Sequence, residues 1–195
     1  MKILIAVPTF ATIEPEVFKA IYDVRPAGHE LFFDFVKGYD CAIARNEIGK
    51  LVQAGGFDYV LMVDSDTIIP PDTIELMMDP PVDICLGVCP RKNTSEGKSA
   101  IIKIDSPSYN DSWFYHELPD QRTVVKGGGF ACAMVKATVF TTLDYPYFQY
   151  VTNQDGTTLS EDFYFCQNAR FLGRYDIWMD PRVRCGHLAR YYQYE

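Results

Sequence analysis

The segment Phe57-Asp58-Tyr59-Val60-Leu61-Met62-Val63-Asp64-Ser65-Asp66 limits the fold more than any other part of this chain. Its apolar centre has no polar face. A strand made from it must be covered on both sides, as in a sheet flanked by helices. The run then stops at two carboxylates that flank a serine. In an open α/β sheet, ligands bind at the carboxyl ends of the strands. Asp64 and Asp66 alternate with Ser65, so both carboxylates can face one site. Hard oxygen ligands of this kind suit Mg²⁺ or Mn²⁺ carrying a diphosphate. The competing explanation is a polar turn that merely caps the strand.

The flanking sequence supplies the rest of such a sheet. Residues 2–7 read as a first buried strand, ended by Pro8 and Thr9 because proline cannot donate to a ladder. Residues 14–24 suit a short helix that stops before Pro26, and the Phe-rich residues 30–36 suit a second strand. Asp40 is placed to cap a helix carrying Ala44, Ile48, Leu51 and Gly55 on one face, with Gly55-Gly56 closing it. A helix over 71–78 and a strand over 82–88 follow. Alternating strands and helices predict a mostly parallel, doubly wound half over about 1–90. Residues 100–104, 122–126 and 130–135 are short strand candidates without long helices between them. They predict a smaller mixed or antiparallel segment laid against the first half. Ser160 can cap a last helix that ends at Gly173, before a final strand over 175–179. The 195 residues fit a single domain of two halves, about 1–90 and 91–195.

Composition narrows the function. With 48% hydrophobic residues the chain can bury a core, and its net charge of −8 argues against a general nucleic-acid partner. Arg182, Arg184 and Arg190 still form a local basic cluster. The six cysteines include no CxxC pair, and several sit inside apolar runs, so they read as small buried hydrophobes. Reduced cysteines imply a cytoplasmic setting. The apolar start ends at Pro8, too short for a signal-peptide core. No run approaches the roughly 20 apolar residues of a transmembrane segment.

Five features now stand in order: Val7-Pro8-Thr9 after a strand, Ala44-Arg45-Asn46 on a helix, Asp64-Ser65-Asp66, Ser160-Glu161-Asp162 at a helix start, and His187 after the last strand. This order resembles the GT-A glycosyltransferases, particularly the family 2-like enzymes, over residues 2 to about 188. The fold that the resemblance implies is α/β, a Rossmann-like nucleotide-binding sheet with a small mixed acceptor-side segment. The activity it implies is transfer of a sugar from a nucleotide-sugar donor, a UDP-sugar before a GDP-sugar, to an acceptor hydroxyl with inversion.

By that resemblance Asp64-Ser65-Asp66 is the DxD motif. Asp66 and the late His187 would ligate the divalent metal, Mn²⁺ or Mg²⁺. Asp64 would reach the ribose, the sugar or, through water, the metal. Pro8 and Thr9 would approach the base, and Arg45 the base or diphosphate. The competing descriptions are a simple turn for Thr9 and an exposed arginine beside an acidic neighbour for Arg45, with Arg45 and Asn46 on the polar side of their helix. Asp162 is the candidate general base that deprotonates the acceptor hydroxyl, with Glu161 as the rival assignment. Both also suit a first helical turn, whose dipole would lower the pKa of Asp162 and weaken it as a base. Gly128 and Gly129, in Lys126-Gly127-Gly128-Gly129-Phe130, let the backbone come close to donor sugar and acceptor, or simply form a hairpin or bulge. Trp113, Phe114 and Tyr115 read as an acceptor platform or as core.

The sequence departs from the family after the Glu-Asp pair, where Phe163-Tyr164-Phe165-Cys166-Gln167 replaces the usual Arg or Gln before Trp. Three other functions share some of these features: a non-catalytic nucleotide-sugar-binding protein, a phosphatase whose nucleophile is Asp64, and a sugar-nucleotide pyrophosphorylase. The phosphatase spacing of aspartate and threonine is not met, and the pyrophosphorylase Gly-rich, Arg-containing loop is missing after Val7.

Overall fold

The computed structural model describes residues 1–10, 12–38, 40–92, 97–106, 111–114 and 116–188. In chain order the elements are β1 (Lys2–Thr9), α1 (Pro15–Tyr22), β2 (Glu30–Lys37), α2 (Cys41–Gly55), β3 (Tyr59–Val63), β4 (Thr67–Ile68), α3 (Thr73–Met77), β5 (Ile84–Val88), β6 (Lys98–Lys103), β7 (Ser112–Phe114), β8 (Thr123–Gly127), β9 (Cys132–Lys136), α4 (Ala137–Thr142), β10 (Val151–Thr152), β11 (Thr158–Leu159), α5 (Glu161–Phe171), β12 (Ile177–Arg184) and β13 (Gly186–His187).

Among the described residues nine strands form one sheet in the order β2-β1-β3-β9-β5-β12-β8-β6-β7. β1 runs parallel to β2 and β3, and β12 parallel to β5, while β9 is antiparallel to both β3 and β5. The β8, β6 and β7 end is antiparallel throughout. Side chains alternate between two cores. Leu4, Ala6, Val60 and Met62 face one core, with Ile48 of α2, Phe140 of α4 and Phe165 of α5. Ile3, Ile5, Leu61 and Val63 face the other, with Val17 of α1 and Ile74 of α3. All five β3 residues are buried, as the two-sided apolar run requires.

Three expectations are corrected. The second-half strands do not lie against the first half; they complete its sheet. β9 is buried at four of its five positions: β3 and β5 pair with its two edges, and its side chains alternate into the cores on the two faces. β1 runs on through Pro8 and Thr9, paired with Val36 and Lys37. Its pairing with β3 ends at Ala6, so Pro8 lies where the strand has one neighbour and a missing N–H is tolerated. β12 continues to Arg184 past Pro181, with its register shift between Met179 and Arg184.

Helix α2 starts where Asp40 accepts a hydrogen bond from the Ile43 N–H at 2.8 Å, and it ends at left-handed Gly56, φ 64°. Its expected polar side is buried at Arg45 and Asn46. Asn46 is satisfied there. Its Oδ1 accepts from the Tyr147 and Phe148 N–H groups at 2.8 and 3.0 Å, and its Nδ2 donates to the Phe148 carbonyl at 2.8 Å. That clamp holds Phe148 stacked on Phe165 of α5, with centroids 4.6 Å apart. Helices α2 and α5 are thereby fixed relative to each other.

Five of the six free cysteines are buried, as expected, but Cys41 is exposed at the start of α2. Trp113 packs partly against the core and Phe114 stacks on His116. Tyr115 and Arg190 lie outside the described residues. No helix among the described residues is long and apolar enough to cross a membrane.

Candidate active site

Arg45 is the hub at the carboxyl edge of the sheet. Its side chain is 2% exposed. Nη2 donates to Asp64 Oδ1 at 2.8 Å, and Nη1 donates to Glu161 Oε1 at 2.7 Å and also to Asp162 Oδ1. One guanidinium from α2 therefore joins the end of β3 to the first turn of α5. Burial works against its charge, but Asp162, Asp64 and Glu161 outweigh that and hold it protonated. Among the described residues its Nε has no hydrogen-bond partner. Of the two descriptions of Arg45, the exposed arginine does not hold: its acidic neighbours are three carboxylates that need a buried counter-charge, and Arg45 supplies it.

Asp162 is pushed up from 3.8 to about 7. Burial is the largest cause; Arg45 opposes it, and the charges of Glu161 and Asp64 add to it. The helix-end effect expected to lower this pKa is outweighed. Asp162 is thus a carboxylate that gains and loses its proton near neutrality, which suits general-base work. Ser160 occupies the cap position of α5 but makes no side-chain cap bond. Tyr150, which the sequence did not single out, is hydrogen-bonded to Glu161, and burial together with that carboxylate raises its phenol pKa.

A second group gathers at Asp66. The short ladder pairs β4 with β13 and sets His187 opposite Thr67, and the Leu188 N–H donates to the Asp66 carbonyl at 2.9 Å. His187 Nε2 then lies 3.3 Å from Asp66 Oδ1, while the Lys92 ammonium rests on Asp66 Oδ2. His187 Nδ1 donates to the Pro90 carbonyl at 2.7 Å. Burial opposes the Asp66 charge, but the bonds from His187 and Lys92 bring its pKa down to about 2. His187 is raised to about 10, first by Asp66 and then by Cys89.

Asp64 and Asp66 therefore face different partners, Arg45 and the His187–Lys92 pair. Among the described residues no three His, Cys, Asp or Glu groups converge as a ready ligand set. Asp66 instead has a basic group at each oxygen, His187 Nε2 at Oδ1 and the Lys92 ammonium at Oδ2.

Pro8, Thr9 and Ser65 come together, with Asp40 and Cys41, around a recess of about 150 Å³ beside β1 and the start of α2. The two glycines differ. A Cβ on Gly129 would lie 3.1 Å from Ala100 Cβ and 3.6 Å from Asp162 Oδ2, so this glycine borders the carboxylate. A Cβ on Gly128 would meet Ile101 Cδ1 at 2.5 Å and Leu86 Cδ1 at 2.8 Å, which is a packing demand of the core. Gly128→Ala is expected to lower stability by about 1–3 kcal/mol through overpacking. Urea unfolding checks this, and an unchanged midpoint would refute it.

No protein-family model matches the sequence, and no curated protein sequence matches it. Solved structures do. One is the crystal structure of A197 from STIV, 15% identical, with TM-score 0.67, over 97% of this chain and 87% of that one. Another is GalNAc-T7 with UDP, GalNAc and Mn²⁺, 9% identical, with TM-score 0.61, over 98% of this chain and 44% of that one. At these identities the likeness is one of fold. With its mixed central sheet and helices on both faces, the chain has the Rossmann-like α/β fold of the GT-A class.

Proposed function

We propose that this chain is a metal-dependent glycosyltransferase that moves a sugar from a nucleotide-sugar, a UDP-sugar, to an acceptor hydroxyl with inversion. The observation that carries this reading is Asp162, a buried carboxylate raised to about 7 beside Gly129 at the carboxyl edge of the sheet. Asp162 would take the acceptor's proton as its oxygen attacks the anomeric carbon. Glu161, paired with Arg45 and Tyr150, would stay a positioning group. Arg45 would orient Asp64 toward the ribose or sugar and Asp162 toward the acceptor, without itself reaching the diphosphate. Pro8, Thr9 and Ser65 would border the base and ribose, since they share one recess.

Asp66 and His187 are the residues that would hold Mn²⁺ or Mg²⁺, which needs only one or two protein ligands when a diphosphate supplies the others. When bound, the metal offsets the diphosphate charge and eases departure of the nucleotide. The same fold in a protein that binds nucleotide-sugar without turnover would lack use for a carboxylate tuned to neutrality, and that favours the enzyme.

Calorimetric titration of UDP and GDP with and without Mn²⁺, followed by a donor-hydrolysis screen, tests the proposal. Metal-dependent binding of one nucleotide supports it, and no binding of either under any metal condition removes it. Asp66→Ala is expected to weaken nucleotide binding in Mn²⁺ by about tenfold or more, the loss of one charge-assisted contact. An unchanged affinity would sink the Asp66 assignment.

A further inference from the structure

On the reading of this site as a nucleotide-sugar transferase, we propose that Lys92 is a displaceable counter-ion: it pairs with Asp66 and moves onto the donor's diphosphate once a metal ion takes its place.

The backbone that carries Lys92 is anchored. Pro90 bridges to Ser99, its carbonyl accepts from His187 Nδ1 at 2.7 Å, and the Arg91 N–H donates to the Lys98 carbonyl at 2.8 Å. The side chain is less confined: it is 43% exposed, and its ammonium reaches Asp66 Oδ2 from the solvent side. Lysine is a flexible point charge with rotatable donors, well suited to changing partners over a few ångströms. Asp66 is 24% exposed, and a metal ion arriving at its carboxylate would be repelled by the Lys92 ammonium already on it.

Charge balance gives the second position of Lys92 a purpose. With His187 a neutral ligand, its proton given up to water, a divalent ion, Asp66 and the two charges of a nucleotide-sugar diphosphate sum to one negative charge, which an ammonium cancels. In the transfer, the acceptor oxygen bonds to the anomeric carbon and its proton passes to Asp162. The bond from that carbon to the diphosphate breaks, and its electron pair stays on the phosphate oxygen. The leaving group gains one more negative charge, and a mobile cation within reach stabilises that charge as it develops.

The proposal predicts effects of opposite sign. Lys92 competes with a metal that arrives alone, and it assists a metal that arrives with nucleotide. Lys92→Met keeps an apolar stem and removes the ammonium. Mn²⁺ binding followed by electron paramagnetic resonance, alone and with UDP, reads both constants. In Lys92→Met, Mn²⁺ alone is expected to bind about tenfold tighter, and UDP in saturating Mn²⁺ about tenfold weaker. Lys92→Arg is expected to restore UDP affinity. Two constants that move in the same direction, or neither moving, would overturn the role of Lys92. Asp66→Ala separates this from failure of the site itself. If that variant loses Mn²⁺-dependent UDP binding while Lys92→Met behaves as wild type, only the role of Lys92 falls. If Asp66→Ala binds UDP with Mn²⁺ as wild type does, both readings fall.

Discussion

Asp162→Asn should leave nucleotide binding intact and slow sugar transfer by about 10²- to 10⁴-fold, the usual contribution of a positioned general base. The amide keeps an oxygen for the Arg45 Nη1 donor, so the cluster holds its shape while losing the group that accepts the proton. The pH profile carries the same information with a definite sign. Asp162 is raised to about 7, so the basic form grows as pH rises through neutrality. Wild-type kcat/KM should climb up to about pH 7 and then level, and the residual rate of the variant should lack that rise. Glu161→Gln is the comparison that matters, because Glu161 shares the Arg45 Nη1 donor but also engages Tyr150. Near-normal turnover in Asp162→Asn, with the loss appearing in Glu161→Gln, would transfer the base role to Glu161.

Removing the guanidinium should damage the fold itself. Arg45→Met is expected to destabilise the protein by about 3–5 kcal/mol, because it strands Asp64, Glu161 and Asp162 without their shared counter-charge. Methionine fills much of the space, so the loss reports charge more than volume. The deficit should grow with pH. Arg45 is the main influence holding the raised Asp162 pKa down, so without it that pKa climbs further above its unfolded value in the folded state. The folded state then binds more protons, and stability falls as pH rises through that interval. Urea midpoints of wild type and variant at pH 5 and pH 8 decide the matter. A variant as stable as wild type at pH 8 would mean that water, and not Arg45, solvates the cluster.

Much of this arrangement was readable in the residue order. The two-sided apolar run before Asp64 fixed the interior place of β3, and the Asp40 and Gly56 signals bracket α2 as observed. Burial of Arg45 was not read, although a signal existed: Arg45, Ile48, Gly49 and Val52 stand at helical spacing on one buried face. A charge on such a face asks for partners, and those partners lie far away in sequence, at the end of β3 and the start of α5. The interior place of β9 was missed because short apolar strands carry no label of their neighbours. Lys92 was missed for a different reason. It follows a strand in a segment with no periodicity, and its contact with Asp66 depends on the way the chain leaves β5. The pairing of His187 with Asp66 rests on a two-residue ladder, too short to announce itself.

The insertion of β9 between β3 and β5 also bears on synthesis. A chain emerging from a ribosome makes β1, β2, β3 and β5 first, yet β3 and β5 do not pair with each other in the finished sheet. Each waits with an open apolar edge until residue 136 has been made. The carboxylates of α5 and the imidazole of His187 come later still, so until then Arg45 has only Asp64, and Asp66 only Lys92, as an available partner. The nascent half-sheet is thus a period of exposed β edges, when association with other chains competes with folding.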